Sequence, residues 1–326
     1  MMKYHISTHD DVSDREQLVI ALSELEGVTF SHYDGVVHST SSFLRWYTAR
    51  PGLLPHLCQA AFVGDRLVCN VFVTLAPMML GSGVVQCGLV DTVMTHPDHR
   101  RHGLATQLLR RALAAMEAAG ADVSLLYTAR SEPLLGPERL YRGLGYEPRE
   151  LVTRYVRPAG PVSADPAGAK QLDASARLLF EAALGGMDGW LVLNDDLWRW
   201  RRLERPGNYP VALYGTDSGA AAAVCAGELM VSGAPSPLTV VSDLVLPNGN
   251  AARGDLCALL AATSPDAPVT ILCPESGSHA ELLTGTGFVA AGVEVAMVRP
   301  ISRKGASAIS APRSEWYVAV ESLIGV

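Results

Sequence analysis

Val93-Met94-Thr95-His96-Pro97-Asp98-His99-Arg100-Arg101-His102-Gly103-Leu104-Ala105-Thr106 carries a strand-like run through a short basic loop into a helix. Gly103 and Ala105 remove side-chain bulk where the backbone bends, so N–H groups at the helix start converge on an anion with the positive end of the helix dipole behind them. Arg100 and Arg101 add fixed positive charge, which makes the loop a pyrophosphate cradle. Downstream, Leu104, Leu108, Leu109, Ala112, Leu113 and Met116 recur at helical spacing, and Gly120 supplies a stop. The loop has neither the Gly-Lys-Ser/Thr ending of a Walker loop nor the Gly-x-Gly-x-x-Gly of a dinucleotide fold, which disfavours nucleotide hydrolysis and NAD binding.

The spacing Arg100-x-x-Gly103-x-Ala105 resembles the acyl-CoA signature of the GNAT acyltransferase superfamily, Arg/Gln-x-x-Gly-x-Gly/Ala. Leu140-Tyr141-Arg142-Gly143-Leu144-Gly145-Tyr146 is similar to that family's later segment, an aromatic followed by Gly and Phe/Tyr at a helix end. Between and before these motifs lie Tyr4-His5-Ile6, helical runs at Arg15 to Leu25 and Ser41 to Thr48, and strand runs at Cys58 to Val63, Leu67 to Leu75 and Val84 to Thr95. Helix 104–119, strand Val123 to Tyr127 and a short helix ending near Tyr141 follow. Their order, β-α-α-β-β-β-α-β-α-β, matches the GNAT fold, an α/β sheet wrapped by helices.

The second half repeats the first. Phe43-Leu44-Arg45-Trp46 before Arg50-Pro51-Gly52 parallels Leu197-Trp198-Arg199-Trp200 before Arg205-Pro206-Gly207. Ala121 to Leu126 parallels Ala267 to Leu272. Gly143-Leu144-Gly145-Tyr146 matches Gly285-Thr286-Gly287-Phe288, and Val156-Arg157-Pro158 matches Val298-Arg299-Pro300, both at an offset of 142 residues. The expectation is two tandem GNAT-like domains, each a mixed, mostly antiparallel sheet flanked by helices. Residues 1–158 would carry the acyl-CoA site, 159–168 a linker, 169–300 a degenerate copy and 301–326 a tail that docks on a domain or a second subunit. The second copy has Pro247 to Gly254 in place of the cradle and Leu283 in place of Tyr141, so one donor site is expected.

With 326 residues the chain is long enough for two cores. A net charge of −7 argues against a nucleic-acid partner and leaves the basic cluster at the loop suited to one ligand. No apolar run approaches a membrane span or a signal peptide, so a cytoplasmic location is expected. Six separated cysteines, with no Cys-x-x-Cys pair, read as buried reduced thiols.

The resemblance implies acetyl-CoA as cosubstrate, with Val93, Met94 and Thr95 beside the pantetheine arm and the amides of Arg101, His102, Gly103, Leu104, Ala105 and Thr106 on the pyrophosphate. Tyr141 stands where the family has the acid that protonates the leaving thiolate. Asp91, on the strand entering the loop, is a candidate base for the amine, or else a hydrogen-bonded structural carboxylate. The segment 128–139, with Ser131, Pro133, Gly136 and Pro137, lacks an Asn that many relatives carry there. His96, His99 and His102 read as solvated loop histidines, and no metal is expected. Trp46, Trp198 and Trp200 pack in the core or wall an acceptor, with Asp195 and Asp196 as anchors for a cationic amine.

The resulting expectation is N-acetyl transfer to a primary amine, of a small molecule, by direct attack in a ternary complex. A non-catalytic acyl-CoA sensor, or transfer from a longer acyl-CoA or an acyl carrier protein, remains the alternative, and a homodimer is open.

Overall fold

A computed structural model describes residues 3–30, 40–130, 136–162, 168–192, 194–206, 211–231, 234–247, 252–263 and 266–318. The first half runs β1 (His5–Thr8), α1 (Arg15–Phe30), α2 (Ser41–Thr48), β2 (Gln59–Val63), β3 (Arg66–Leu80), β4 (Gly83–Thr95), α3 (Leu104–Ala118), β5 (Val123–Ala129), α4 (Gly136–Arg142) and β6 (Glu147–Arg157). The second runs β7 (Ala169–Gln171), α5 (Arg177–Leu184), α6 (Asp195–Arg202), β8 (Val211–Thr216), β9 (Ala221–Val231), β10 (Ala234–Val245), α7 (Ala252–Ala262), β11 (Val269–Pro274), α8 (Ala280–Gly285) and β12 (Val289–Pro300). Helix α9 (Arg303–Ser310) follows. Helix α1 continues past Leu25 to Phe30, through Gly27 and β-branched Val28 and Thr29, because packing of Leu25 and Phe30 on the core overrides weak local propensity.

Among the described residues, twelve strands form one mixed sheet, in the order β1-β2-β3-β4-β5-β12-β6-β11-β10-β9-β8-β7. The last strand of each half is exchanged: β12 pairs with β5 of the first half, and β6 pairs with β11 of the second. The two exchanged strands are the segments related by the 142-residue offset, and they lie antiparallel to each other, Val289 opposite Val156 and Val298 opposite Glu147. Equivalent residues therefore trade places across a local two-fold axis. Hydrogen bonding crosses the sequence boundaries at 158 and 169, and each half completes the sheet of the other.

On one face a continuous apolar cluster joins α1 and α2 to α5 and α6, from Leu22 and Phe43 to Phe180 and Trp198. On the other, α3 and α4 cover the first half through Leu108, Met116 and Tyr141, and α7 and α8 cover the second through Leu259 and Leu283. Gly88 permits the close seat of α3, since a Cβ there would meet Met116 Sδ at 2.0 Å.

Helix α9 packs on β12 and β4, with Ser302 Oγ donating to Asp122 at 2.7 Å. Trp316, Tyr317 and Val318 are buried against the second half. The rest of the tail lies outside the described residues.

Candidate active site

The parallel strands β4 and β5 are paired at only three positions, ending at Leu89 opposite Leu125. Beyond that point β4 keeps its neighbour β3 but has no strand on its other side among the described residues, so the peptide groups of Val90 to Thr95 that point away from β3 border a slot. Strand β5 forms the opposite wall, backed by β12 from the second half. The divergence coincides with a bulge: Asn70 faces Met94 and Phe72 faces Asp91, leaving Thr92 and Val93 against the single residue Val71.

The slot leads into the predicted cradle. Arg101 and Gly103 have φ of 65° and 75°, a paired left-handed turn that only Gly103 adopts without strain. Helix α3 starts at Leu104 with Gly103 as N-cap and no side-chain cap, leaving its first N–H groups without an intrahelical partner. Arg100 reaches back from the loop to the carbonyl of Thr95 (3.2 Å), and the side chains of Arg101 and His102 are exposed. Val93, Met94, Thr95 and residues 100–106 thus follow one another from the unpaired end of β4 through the loop into the first turn of α3.

Tyr141, on α4, lies 5% exposed in the same buried cluster as Val90, Leu126 and Leu104, the residues that flank the divergence. Its ring meets Tyr146 edge-on at 6.0 Å. Burial, and to a lesser degree Tyr146 and Cys69, pushes its pKa above the ordinary phenol value, so it stays protonated. Leu283 is buried at the equivalent place on α8.

Asp91 is also buried, and its partners are structural. One oxygen accepts from Arg50 at 2.7 Å, the other from Thr92 Oγ1 at 2.9 Å, and both side chains of the ion pair are fully enclosed. Arg50 also donates to Tyr47 at 3.1 Å. The second half repeats this arrangement: Asp243 on β10 is held by Arg201 and Arg202 of α6 and accepts from Tyr317 Oη at 2.7 Å. The sequence repeat matches Arg50 with Arg205, but the ion-pair role of Arg50 falls in the second half to Arg201 and Arg202.

The histidine reading needs correction. His96 and His99 are buried, not solvated: His96 Nε2 lies 2.7 Å from Arg66, and His99 Nδ1 lies 3.3 Å from Tyr4 Oη. Only His102 is exposed. They brace the loop from behind.

Trp198 packs against Phe180 in the core and does not wall a cleft. Trp46 and Trp200 stack on each other, and Arg205 lies over Trp46, 4.9 Å from the ring centroid. Asp195 pairs with Arg177. Residues 131–135 and 248–251, which include Ser131, Pro133 and most of the second half's counterpart of the cradle, lie outside the described residues.

Residues 22–149 match the family model described as "Acetyltransferase (GNAT) domain". That match takes in β4, the basic loop, α3, β5 and α4. Among solved structures it is similar to a GCN5-related N-acetyltransferase from Anabaena variabilis, at 15% identity and a TM-score of 0.63, covering 93% of this chain and 74% of that one. It is also similar to N-myristoyltransferase of Saccharomyces cerevisiae with bound myristoyl-CoA, at 10% identity and a TM-score of 0.71, covering 92% and 79%. A third is Eis1 from Mycobacterium abscessus, at 17% identity and 0.56, covering 94% and 76%. A search of curated proteins finds no match. At these identities the likeness establishes a shared fold across almost the whole chain. No helix among the described residues is long and apolar enough to cross a membrane.

Proposed function

We propose that the protein transfers an acetyl group from acetyl-CoA to a primary amine of a small molecule, by direct attack within a ternary complex. The observation that carries this reading is the β4–β5 divergence running into the uncapped start of α3, with Tyr141 in the buried cluster that holds Val90, Leu104 and Leu126. The cradle takes the pyrophosphate, and strand β4 offers peptide groups to the pantetheine arm and thioester carbonyl. Tyr141 gives its proton to the departing CoA thiolate as the amide forms.

Direct transfer is favoured because the nearby thiols are poor acyl carriers. Burial pushes Cys58 and Cys87 up to about 12 and Cys69 to about 11, far from the thiolate that attack on a thioester needs. Asp91, placed above as a possible base, has its oxygens committed to Arg50 and Thr92. In this reading it is a fixed counter-charge, and water relays the amine proton to solvent.

The test is stabilisation by acetyl-CoA, longer acyl-CoAs and free CoA, followed by thiol release across an amine panel. Acetyl-CoA-dependent thiol release with an amine supports the reading. Stabilisation without release by any amine supports an acyl-CoA sensor instead, and release only with long chains replaces acetyl by a longer acyl group.

A further inference from the structure

Among the described residues, Thr92 is the one β-branched residue in the left-handed region, at φ 47°. Such a backbone is strained and persists only where its surroundings fix it from more than one side. Two buried clamps do so. Asn70, fully buried on β3, donates from Nδ2 to the Thr92 carbonyl at 3.1 Å, and its Oδ1 is held by His9 Nε2 at 2.7 Å. From the other side, Thr92 Oγ1 is tied to Asp91, and through it to Arg50.

The second half separates the roles of the two clamps. It keeps the aspartate–arginine pair as Asp243 and Arg202, although it lacks the cradle and the tyrosine, so that pair belongs to the fold. It does not keep the other clamp. The facing strand reads Ala221-Ala222-Ala223-Val224-Cys225, with no amide side chain, and Ser242, Asp243 and Leu244 have no positive φ. A buried Asn–His pair beside an apolar strand is costly unless its polar atoms are used. Here it occurs only where the donor slot occurs.

We propose that Asn70, oriented by His9, is a positioning residue for acyl transfer. By holding the Thr92 carbonyl, it keeps the bulge in its strained form and aims the following peptide groups of β4 into the slot. This rests on the acyl-transfer reading above. The geometry of the reacting thioester against β4 depends on the clamp, while the grip on CoA, made at the α3 cradle, does not.

The decisive comparison is Asn70→Ala in the native background and in a Thr92→Gly background, where glycine adopts the same φ without strain. The expected result is a kcat loss of about 10- to 100-fold from Asn70→Ala, with donor KM within about two-fold, and recovery of most of that loss in the Thr92→Gly background. Amide hydrogen exchange at Val93 to Thr95 should quicken in Asn70→Ala, a readout that needs no acceptor. If Asn70→Ala does not fold, His9→Leu should reproduce the effect, and His9→Gln, whose amide can still donate to Asn70, should restore it. Equal kcat losses in both backgrounds, or unchanged exchange at residues 93–95, would overturn the proposal. Absence of thiol release by the wild-type protein would instead sink the acyl-transfer reading, and exchange would then decide on the clamp alone.

Discussion

The indoles of Trp46 and Trp200 lie face to face, with centroids 4.3 Å apart and planes 5° from parallel, and each ring N–H donates to the other's main-chain carbonyl, at 3.0 and 2.9 Å. They occupy equivalent places on α2 and α6, so the local two-fold axis passes between them. The two halves meet here through one reciprocal contact. Trp46→Phe and Trp200→Phe should each cost about 1 kcal/mol through the lost hydrogen bond, and the double variant should cost less than the sum. Denaturant unfolding of the two single variants and the double variant measures this.

On the proposed reading, Tyr141→Phe should lower kcat at least ten-fold and leave the dissociation constant for acetyl-CoA nearly unchanged, because the phenol serves the leaving thiolate and not the pyrophosphate. Steady-state kinetics with calorimetric donor binding separates the two effects. Equal turnover would remove Tyr141 from the reaction.

Gly103→Val should act in the opposite way. Its φ of 75° is strained for a branched residue, and the turn it would distort aims the first N–H groups of α3. Donor affinity should fall ten-fold or more while the fold is kept, which calorimetry and circular dichroism together would show.

His9 predicts a pH dependence of stability. Burial lowers its pKa from 6.5 to about 4, with the Asn70 hydrogen bond opposing and Arg15 adding to the fall. Between those values the unfolded chain binds more protons than the folded one. Its contribution is complete above pH 6.5 and declines as pH falls toward 4, by about 3 kcal/mol in all. Urea unfolding of the wild type and His9→Gln across that range should show a slope that the variant loses.

Asp91→Asn leaves the enclosed Arg50 guanidinium without its counter-charge and should cost about 3 to 5 kcal/mol. Replacing both residues by leucine should recover part of that loss, since a buried pair often does no better than apolar packing. Thermal unfolding of the three variants checks this.

Much of the fold could be read from local pattern. The basic loop and the apolar stripe of α3 are short-range signals that placed the turn and the helix, and the constant offset between halves pointed to the repeat. Strand exchange was hidden, because strands β6 and β12 read alike whichever sheet receives them. Of the candidate site, residues 93–95 and 100–106 could be put forward together because they form one stretch of chain. Asn70 and His9 could not, since Asn70 meets Thr92, and His9 meets Asn70, only in the folded chain, though a lone asparagine in Val68-Cys69-Asn70-Val71-Phe72 is the kind of polar intrusion that asks for a partner. His96 and His99 were misread as solvated because their partners, Arg66 and Tyr4, are distant in sequence.

The exchange of β6 and β12 also bears on how the protein can be divided. A cut in the connection between the halves should leave a complex that stays assembled, each piece holding a strand of the other. A fragment ending after β6, made alone, carries a strand with no sheet of its own and lacks the one that should lie beside β5. Its simplest remedy is to trade β6 with a second copy of itself, which makes the present chain the covalent form of a strand-swapped pair.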